Sequence, residues 1–188
     1  MEIYLIRHTT PHIEKGICYG QSDLDLANTY TEEFKTIKTK IPENKNYKVF
    51  SSPLKRCALL AKQFSDTVNY DNRLKELDFG DWELKAWNAI SEEDMKPWMT
   101  DFVNEPVPNG ESYTQLASRV HAFFEDILAS ESTKDLIIVT HAGPMRAYLS
   151  ALLGIPLKVS FNIKINYGDI FQLKKENKVL KLITEINI

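Results

Sequence analysis

Two short apolar runs in the chain each lead to a histidine. Residues 3–6 run into Arg7 and His8, and residues 136–139 run towards His141. Short continuous runs of apolar residues, rich in β-branched types, are typical of strands that are buried on both faces of a sheet. We therefore predict two buried strands that carry Arg7, His8 and His141 at their carboxyl ends.

Helical spacing alternates with further short strands along the rest of the chain. Thr31 is predicted to cap a helix that ends before Pro42, and Ser52 to cap a second helix with Pro53 in its first turn. The second helix is predicted to end at about Phe64. The same reasoning predicts strands at residues 47–51 and 67–70, a helical stretch at 87–103 interrupted near Pro97, and helices at 113–128 and 145–153.

The pattern changes to strands after residue 159. Strands are predicted at residues 161–163, 170–173 and 179–186, with a hairpin turn at Asn177. Alternating strands and helices indicate an α/β protein with a three-layer α/β/α architecture, a mostly parallel central sheet and a β-rich C-terminus. Because the sequence shows neither a linker nor a repeat, we expect a single domain over residues 1–188.

Two loops are candidates for functional roles. Residues 9–25 follow the first histidine, and loops longer than about 12 residues in a compact domain are usually functional or disordered. We interpret this segment as a ligand-binding loop. The second loop, residues 73–83, has four apolar residues that are expected to anchor it: Leu74, Leu77, Phe79 and Trp82.

Composition and charge narrow the possible partners. The net charge of −3 argues against nucleic acids and anionic membranes as principal partners. Cys18 and Cys57 have no metal-ligand spacing and are too few for a disulfide framework, which favours a reducing compartment. The first residues lack the features of a secretory signal, and no apolar run could span a bilayer. We therefore expect a soluble cytoplasmic protein, and the sequence leaves its oligomeric state open.

The candidate chemistry comes from basic residues that should meet at one edge of the sheet. Arg56 lies in the first turns of a helix that follows a strand, so it should join Arg7, His8 and His141 there. Each of these residues taken alone could be structural. Together they form a dense cationic cluster, which is costly unless an anion neutralises it, and the planar fork of arginine matches phosphate oxygens.

A neutral histidine can attack phosphorus while its second ring nitrogen is held as a donor, and arginines can stabilise the transferring phosphoryl group. A nearby carboxylic acid can protonate the leaving oxygen. This chemistry requires no metal and no cofactor, and a small-molecule phosphate monoester is the expected partner.

The sequence resembles the histidine phosphatase superfamily, which includes the cofactor-dependent phosphoglycerate mutases. Five motifs carry the resemblance in the same order along nearly the whole chain. They are Arg-His-Thr at residues 7–9, Ser-Pro-Leu-Lys-Arg-Cys at 52–57, Leu-Lys-Glu-Leu-Asp-Phe-Gly-Asp-Trp-Glu at 74–83, Gly-Glu-Ser at 110–112 and Val-Thr-His-Ala-Gly at 139–143. In place of the first of these the superfamily has Arg-His-Gly. The resemblance implies a phosphoglycerate mutase-like fold.

The resemblance also implies roles for individual residues. His8 would be the nucleophile that forms a phosphohistidine, and Glu76 would be the general acid and then the base that activates water. Glu83, a second carboxylate nearby, is a weaker candidate for the role of Glu76. The phosphoryl group would be bound by Arg7, Arg56 and His141, and further substrate contacts are expected from Gly20, Gln21 and Ala142, with Tyr19 as a candidate for stacking on an aromatic group.

Two departures bear on the substrate. Thr9 replaces the usual glycine, and the asparagine that the mutases carry shortly after this motif is missing, with Glu14 nearby; both argue against a mutase. Residues 8–11 and 16–24 are similar to α-ribazole phosphatases, which implies hydrolysis of α-ribazole 5′-phosphate during assembly of the lower ligand of cobalamin. The alternatives are a broad-specificity sugar-phosphate phosphatase, a phosphoglycerate mutase and a non-catalytic module that binds phosphorylated ligands.

Overall fold

The computed structural model describes residues 1–43 and 46–186, and a six-stranded mixed sheet lies at its centre. Residues 44, 45, 187 and 188, which the predicted domain includes, lie outside the described part of the chain. The strands are β1 (Glu2–Arg7), β2 (Lys48–Ser51), β3 (Val68–Tyr70), β4 (Leu136–Thr140), β5 (Ile170–Glu176) and β6 (Val179–Leu182).

The strand order β3-β2-β4-β1-β5-β6 places the two histidine-bearing strands side by side. Strands β1 to β4 pair in parallel, whereas β5 is antiparallel to β1 and β6 is antiparallel to β5. In the β1–β4 register Arg7 lies opposite Thr140, and the backbone N–H of His8 donates to the Thr140 carbonyl at 3.0 Å. Both histidines therefore emerge at the same edge of the sheet, as predicted for parallel neighbours.

Helices cover both faces of the sheet, which confirms the three-layer α/β fold. They are α1 (Tyr30–Thr39), α2 (Lys55–Ala61), α3 (Glu92–Thr100), α4 (Tyr113–Ala129) and α5 (Ala142–Leu152). Alternate residues of β1 point to opposite faces: Ile3 and Leu5 pack in a core with α4 and α5, and Tyr4 and Ile6 pack in a core with α1 and α2. No helix in the described part of the chain is both long and apolar enough to cross a membrane.

Several predicted element boundaries are wrong, for local reasons. The N-cap of α1 is Thr29 rather than Thr31. The N-cap of α2 is Leu54 rather than Ser52, because the Ser52 hydroxyl pairs with His141 at 2.8 Å instead. At α5 the cap is His141 itself, so the helix begins at Ala142, three residues before the predicted start at residue 145.

The predicted C-terminal strands also need correction. Residues 161–163 are not a strand, because the chain after Pro156 forms a 3-10 helix at Leu157–Asn162, and three alternating residues cannot distinguish the two structures. The last strand ends at Leu182 rather than at residue 186. The stretch predicted as one helix at 87–103 is a short 3-10 turn, Trp87–Ala89, followed by α3 with Pro97 inside it.

Candidate active site

His8 and His141 lie side by side at the carboxyl ends of β1 and β4. Their ring centroids are 4.9 Å apart, and both side chains are buried. The Nδ1 of His8 is 2.6 Å from the Thr9 carbonyl oxygen, an acceptor, so Nδ1 carries the ring proton and donates it there. The Nε2 of His8 is therefore left with its lone pair.

Burial lowers the pKa of both imidazoles well below the ordinary value of 6.5. The positive charge of Arg56 acts in the same direction on each ring, and Arg7 adds a smaller contribution. For His8 the hydrogen bond to Thr9 opposes these effects without cancelling them. Both rings are therefore neutral near pH 7, which is the state that a histidine nucleophile requires.

We expect the stability of the protein to fall as the pH drops below about 6.5, because the unfolded chain binds protons that the two buried imidazoles do not bind in the folded state. The free energy of unfolding by denaturant, measured from about pH 7.5 to about pH 5.5, should show this slope. The slope should be shallower in a His141→Asn variant. A matched His12→Ala variant, which removes an exposed histidine, should keep it. An unchanged slope in His141→Asn would contradict the assignment.

Arg7 and Arg56 are held beside the histidines by backbone carbonyls rather than by carboxylates. Arg7 donates from Nη1 to the Ile165 carbonyl at 2.7 Å, and its guanidinium stacks on the Tyr167 ring at 3.8 Å. Arg56 is fully buried and donates to the carbonyls of Gly20 and Ser22. In the part of the chain that the structure describes, both guanidinium groups are thus positioned by neutral acceptors.

An anion fits this arrangement. Within the described ranges neither Arg7 nor Arg56 belongs to an ion pair, and the Nε of each is buried without a hydrogen-bond partner. Buried donors of this kind are rare in folded proteins unless a ligand or ordered water satisfies them. Two guanidinium groups next to two neutral imidazoles can neutralise and orient a phosphoryl group.

Glu76 brings a carboxylate to the same cavity as Arg7 and His8. Its carboxylate accepts from the backbone N–H of Gly143, at 3.1 and 3.2 Å, and from that of Leu77 at 3.0 Å. A side chain at position 143 would collide with this carboxylate, since an added Cβ would lie 2.1 Å from its Oε1. The glycine of the Val-Thr-His-Ala-Gly motif is therefore needed for the carboxylate to approach.

A partly buried arginine on α4, Arg119, fixes the backbone that carries Glu76. Arg119 donates to the carbonyls of Arg73 and Lys75, each at 2.7 Å, and to that of Glu76 at 2.9 Å. Its charge is paired with Glu111, whose carboxylate also accepts from the N–H of Asp78 at 3.0 Å. Sequence reasoning missed Arg119, although its partner lies in the Gly-Glu-Ser motif.

Glu83, the other predicted carboxylate, has a different environment. It accepts from the backbone N–H groups of Gly20, Gln21 and Ser22 at 3.0, 2.7 and 3.1 Å, and also from the Ser22 hydroxyl at 2.5 Å. Burial alone would raise the pKa of Glu83, but the hydrogen bonds from Ser22 and the three backbone groups outweigh it and lower the pKa. Glu83 does not line the cavity. It fixes the loop whose carbonyls receive Arg56.

Replacing Glu83 with glutamine is expected to lower the free energy of unfolding by about 1–3 kcal/mol near pH 7, because an amide oxygen accepts these bonds less strongly. The native pKa of Glu83 lies below its ordinary 4.5, so its stabilisation is present above that pH and is lost as the pH falls through the native pKa. Thermal unfolding of both proteins near pH 7 and again near pH 3 should show the difference shrinking. A difference of equal size at both pH values would contradict this role.

The remaining predicted substrate contacts are divided between the cavity and the layer next to it. Tyr19 and Ala142 line the cavity. Gly20 and Gln21 do not, because their N–H groups are bound to Glu83, and the Gln21 side chain donates to the Glu76 carbonyl at 3.2 Å. At position 20 only glycine fits, since a Cβ would lie 1.8 Å from the Leu77 carbonyl oxygen.

The cavity measures about 330 Å³, and most of its lining is apolar. Aromatic rings contact one another in a continuous series along it, with centroid separations between 5.3 and 6.1 Å. We call this series the aromatic wall; its members are Phe79, Trp87, Trp98, Phe102, Phe161 and Tyr113. Its size and composition suit the organic half of a substrate.

Two further residues at the site were not predicted from the sequence. Tyr167 stacks on Arg7 and shares a 2.6 Å hydrogen bond with the Tyr19 hydroxyl. Arg146 lines the cavity one helical turn after Ala142. Residues four positions apart lie on the same face of a helix, so the spacing between Ala142 and Arg146 could have indicated that Arg146 reaches the cavity. In the part of the chain that the structure describes, no group of three or more His, Cys, Asp or Glu side chains is arranged to hold a metal ion.

Several known proteins are similar to this chain in sequence or in fold. The sequence profile of the histidine phosphatase superfamily (branch 1) matches residues 3–185. Phosphoserine phosphatase 1 of Hydrogenobacter thermophilus is 26% identical over 193 residues, which cover 97% of this chain and 92% of that protein. The adenosylcobalamin/alpha-ribazole phosphatase of Salmonella typhimurium is 26% identical over 176 residues, covering 89% and 87%. The crystal structure of the alpha-ribazole phosphatase from Shigella flexneri has the same fold, with a TM-score of 0.88 at 23% identity over 97% of this chain and 94% of that one.

Proposed function

Because the chain belongs to the histidine phosphatase superfamily, we propose that it hydrolyses phosphate monoesters through a phosphohistidine formed on His8. One observation carries the proposal: a neutral imidazole, oriented by the Thr9 carbonyl, lies beside the buried Arg56 and the partly buried Arg7, and neither guanidinium has an ion-pair partner within the described residues. This arrangement combines a nucleophile with a site for the phosphoryl oxygens.

In the first step, the Nε2 of His8 attacks phosphorus and the bond from phosphorus to the ester oxygen breaks. Arg7, Arg56 and His141 stabilise the charge on the three equatorial oxygens. Glu76, which lines the cavity beside His8, donates a proton to the leaving alkoxide and becomes a carboxylate.

In the second step, the Glu76 carboxylate removes a proton from a water molecule, and the oxygen of that water attacks the phosphohistidine. The bond between phosphorus and Nε2 breaks, inorganic phosphate is released, and both residues return to their starting states. The chain's own cationic side chains supply the electrostatic stabilisation, so the mechanism uses no metal and no cofactor.

We propose α-ribazole 5′-phosphate as the substrate, on the strength of the motif similarity at residues 8–11 and 16–24 and of the aromatic wall. The flat aromatic base of α-ribazole can stack on such rings. A broad-specificity sugar-phosphate phosphatase and a phosphoglycerate mutase are the alternatives within the superfamily. A non-catalytic phosphate-binding module is disfavoured, because His8, Glu76 and both arginines are all present.

The test compares α-ribazole 5′-phosphate with 3-phosphoglycerate supplied with a bisphosphate primer, with the full chain at equal concentration in both assays. We expect phosphate release from α-ribazole 5′-phosphate and a transient phosphoenzyme on the peptide that contains His8, trapped in alkali and read by mass spectrometry. Isomerisation of phosphoglycerate without net release of phosphate would identify a mutase instead. Tight binding of inorganic phosphate without any phosphoenzyme would identify a binding module.

A further inference from the structure

A carboxylate on α1 contacts the peptide group that orients the proposed nucleophile. Glu33, in the first turn of α1, accepts from the backbone N–H of Thr10 at 2.9 Å and from the Thr10 hydroxyl at 3.2 Å. Its other carboxylate oxygen accepts from the Thr29 hydroxyl at 2.5 Å. Among residues 1–43 and 46–186, Glu33 has no ion-pair partner. Its negative charge is therefore held by neutral donors and is directed at the Thr10 amide.

The N–H of Thr10 belongs to the same peptide group as the carbonyl of Thr9. That carbonyl accepts from the Nδ1 of His8 at 2.6 Å. The peptide bond between Thr9 and Thr10 is trans, so its N–H and its C=O point in opposite directions. A continuous series of hydrogen bonds thus runs from the Glu33 carboxylate through one peptide group to the His8 ring. We call this series the peptide relay.

The peptide relay is oriented so that each hydrogen bond strengthens the next. A negative charge at the N–H end of a peptide group pushes electron density towards its carbonyl oxygen, and hydrogen bonds joined in series polarise one another. Thr9 and His8 are buried, where electrostatic interactions are screened less than in water. Glu33 is half-buried, so solvent screens part of its charge but leaves part of its influence on the relay.

The His8 ring gains positive charge during the proposed reaction. Its Nε2 bonds to phosphorus while Nδ1 keeps its proton, so the ring becomes a cationic imidazolium. A more negative Thr9 carbonyl oxygen stabilises this charge and also makes Nε2 a better nucleophile. Arg7 and Arg56 act in the opposite direction, because their positive charges lower the pKa of His8. The relay therefore supplies a stabilisation that the phosphoryl-binding groups do not.

We propose that Glu33 is a positioning residue for phosphoryl transfer, whose charge acts through the peptide relay to orient His8 and to stabilise the phosphohistidine. This inference rests on the proposed function and applies to any monoester substrate, including α-ribazole 5′-phosphate. The structural alternative is that Glu33 only ties residue 10 to α1, where an acidic side chain also suits the helix dipole. The two interpretations differ in whether the charge of Glu33 affects the His8 ring.

Glu33→Gln removes the charge and keeps the contact, because the side-chain amide has the same length and its oxygen can still accept from Thr10. The readout is the NMR chemical shift of the His8 Nδ1 nitrogen in ¹⁵N-histidine-labelled protein without substrate, assigned by its absence from His8→Ala. We expect this shift to move in Glu33→Gln in the direction of a weaker hydrogen bond. The matched control is Glu32→Gln, which removes the same charge from the neighbouring exposed position, where it pairs with Lys35, and should leave the shift unchanged.

Rapid-quench kinetics with dinitrophenyl phosphate separate the two chemical steps. We expect the rate of phosphoenzyme formation to fall about 10-fold in Glu33→Gln, comparable to the loss when the hydrogen-bond partner behind a metal-binding histidine is removed. Hydrolysis of the phosphoenzyme should not slow, because the ring loses its positive charge in that step. Glu32→Gln should keep both wild-type rates. A residue that only holds the loop in place would slow both steps when it is replaced.

An unmoved Nδ1 shift in Glu33→Gln would overturn the proposal, as would an equal movement in Glu32→Gln or an equal slowing of both chemical steps. Phosphoenzyme formation at the wild-type rate in Glu33→Gln would also overturn it, while supporting the proposed function. If the shift moves only in Glu33→Gln but no protein forms a phosphoenzyme, the peptide relay is supported and only the proposed phosphatase function fails.

Discussion

Turnover by a His8→Ala variant is expected to fall by about 10⁵- to 10⁶-fold, the range seen when a catalytic nucleophile is removed. The side chain that we propose bonds to phosphorus is absent, and the neighbouring His141 ring is held in a different place by the 2.8 Å hydrogen bond between its Nε2 and the Ser52 hydroxyl. The measurement is the rate of hydrolysis of a chromogenic phosphate ester, with circular dichroism to verify the fold.

The matched control is His12→Ala, since His12 is exposed and does not line the cavity. This variant should retain turnover close to the wild type. Substantial hydrolysis by folded His8→Ala would exclude a phosphohistidine at this position. It would leave Arg7 and Arg56 as a phosphate-binding site for a different reaction.

The second large effect is expected for Glu76→Gln, which should slow the release of poor leaving groups by about 10²- to 10⁴-fold. An alkyl phosphate needs a proton on its departing oxygen, whereas a nitrophenolate departs readily without one. The loss should therefore be much larger for alkyl esters than for a nitrophenyl ester. Rates for a series of esters with different leaving groups, compared between wild type and variant, measure this dependence.

Glu83→Gln is the matched comparison, because the two carboxylates belong to the same sequence motif. Glu83 binds the loop of residues 20–22, so its replacement should reduce rates for all esters by a similar factor. If Glu83→Gln instead showed the same dependence on the leaving group as Glu76→Gln, the role of general acid would have to be reassigned.

The fold could be predicted from the sequence because its determinants are local. Short apolar runs specified β1 and β4, and the stripe of apolar residues on α4 specified one covering layer. Parallel pairing then brings Arg7, His8 and His141 together, since the carboxyl ends of parallel strands share one edge. The cap predicted at Ser52 failed because the Ser52 hydroxyl pairs with His141, on a distant part of the chain, instead of with the helix.

The parts of the site that escaped prediction depend on distant contacts. Tyr167 reaches Arg7 from a loop near the end of the chain, and Arg119 reaches the Glu76 backbone across 43 positions. No spacing rule relates such pairs. The difference between Glu76 and Glu83, which lie seven positions apart in one motif, likewise depends on which backbone N–H groups each one meets after folding.

The position of β1 in the sheet has a consequence for how the enzyme is made. The proposed nucleophile directly follows this strand, yet the two neighbours of β1 in the sheet come much later in the sequence: β4, Leu136–Thr140, and β5, Ile170–Glu176. Pairing across such separations carries a large loop-closure cost and is slow. The Arg7–His8 segment therefore stays unpaired in the nascent chain until both of these later strands have been synthesised, so the proposed site can assemble only after β5 is complete.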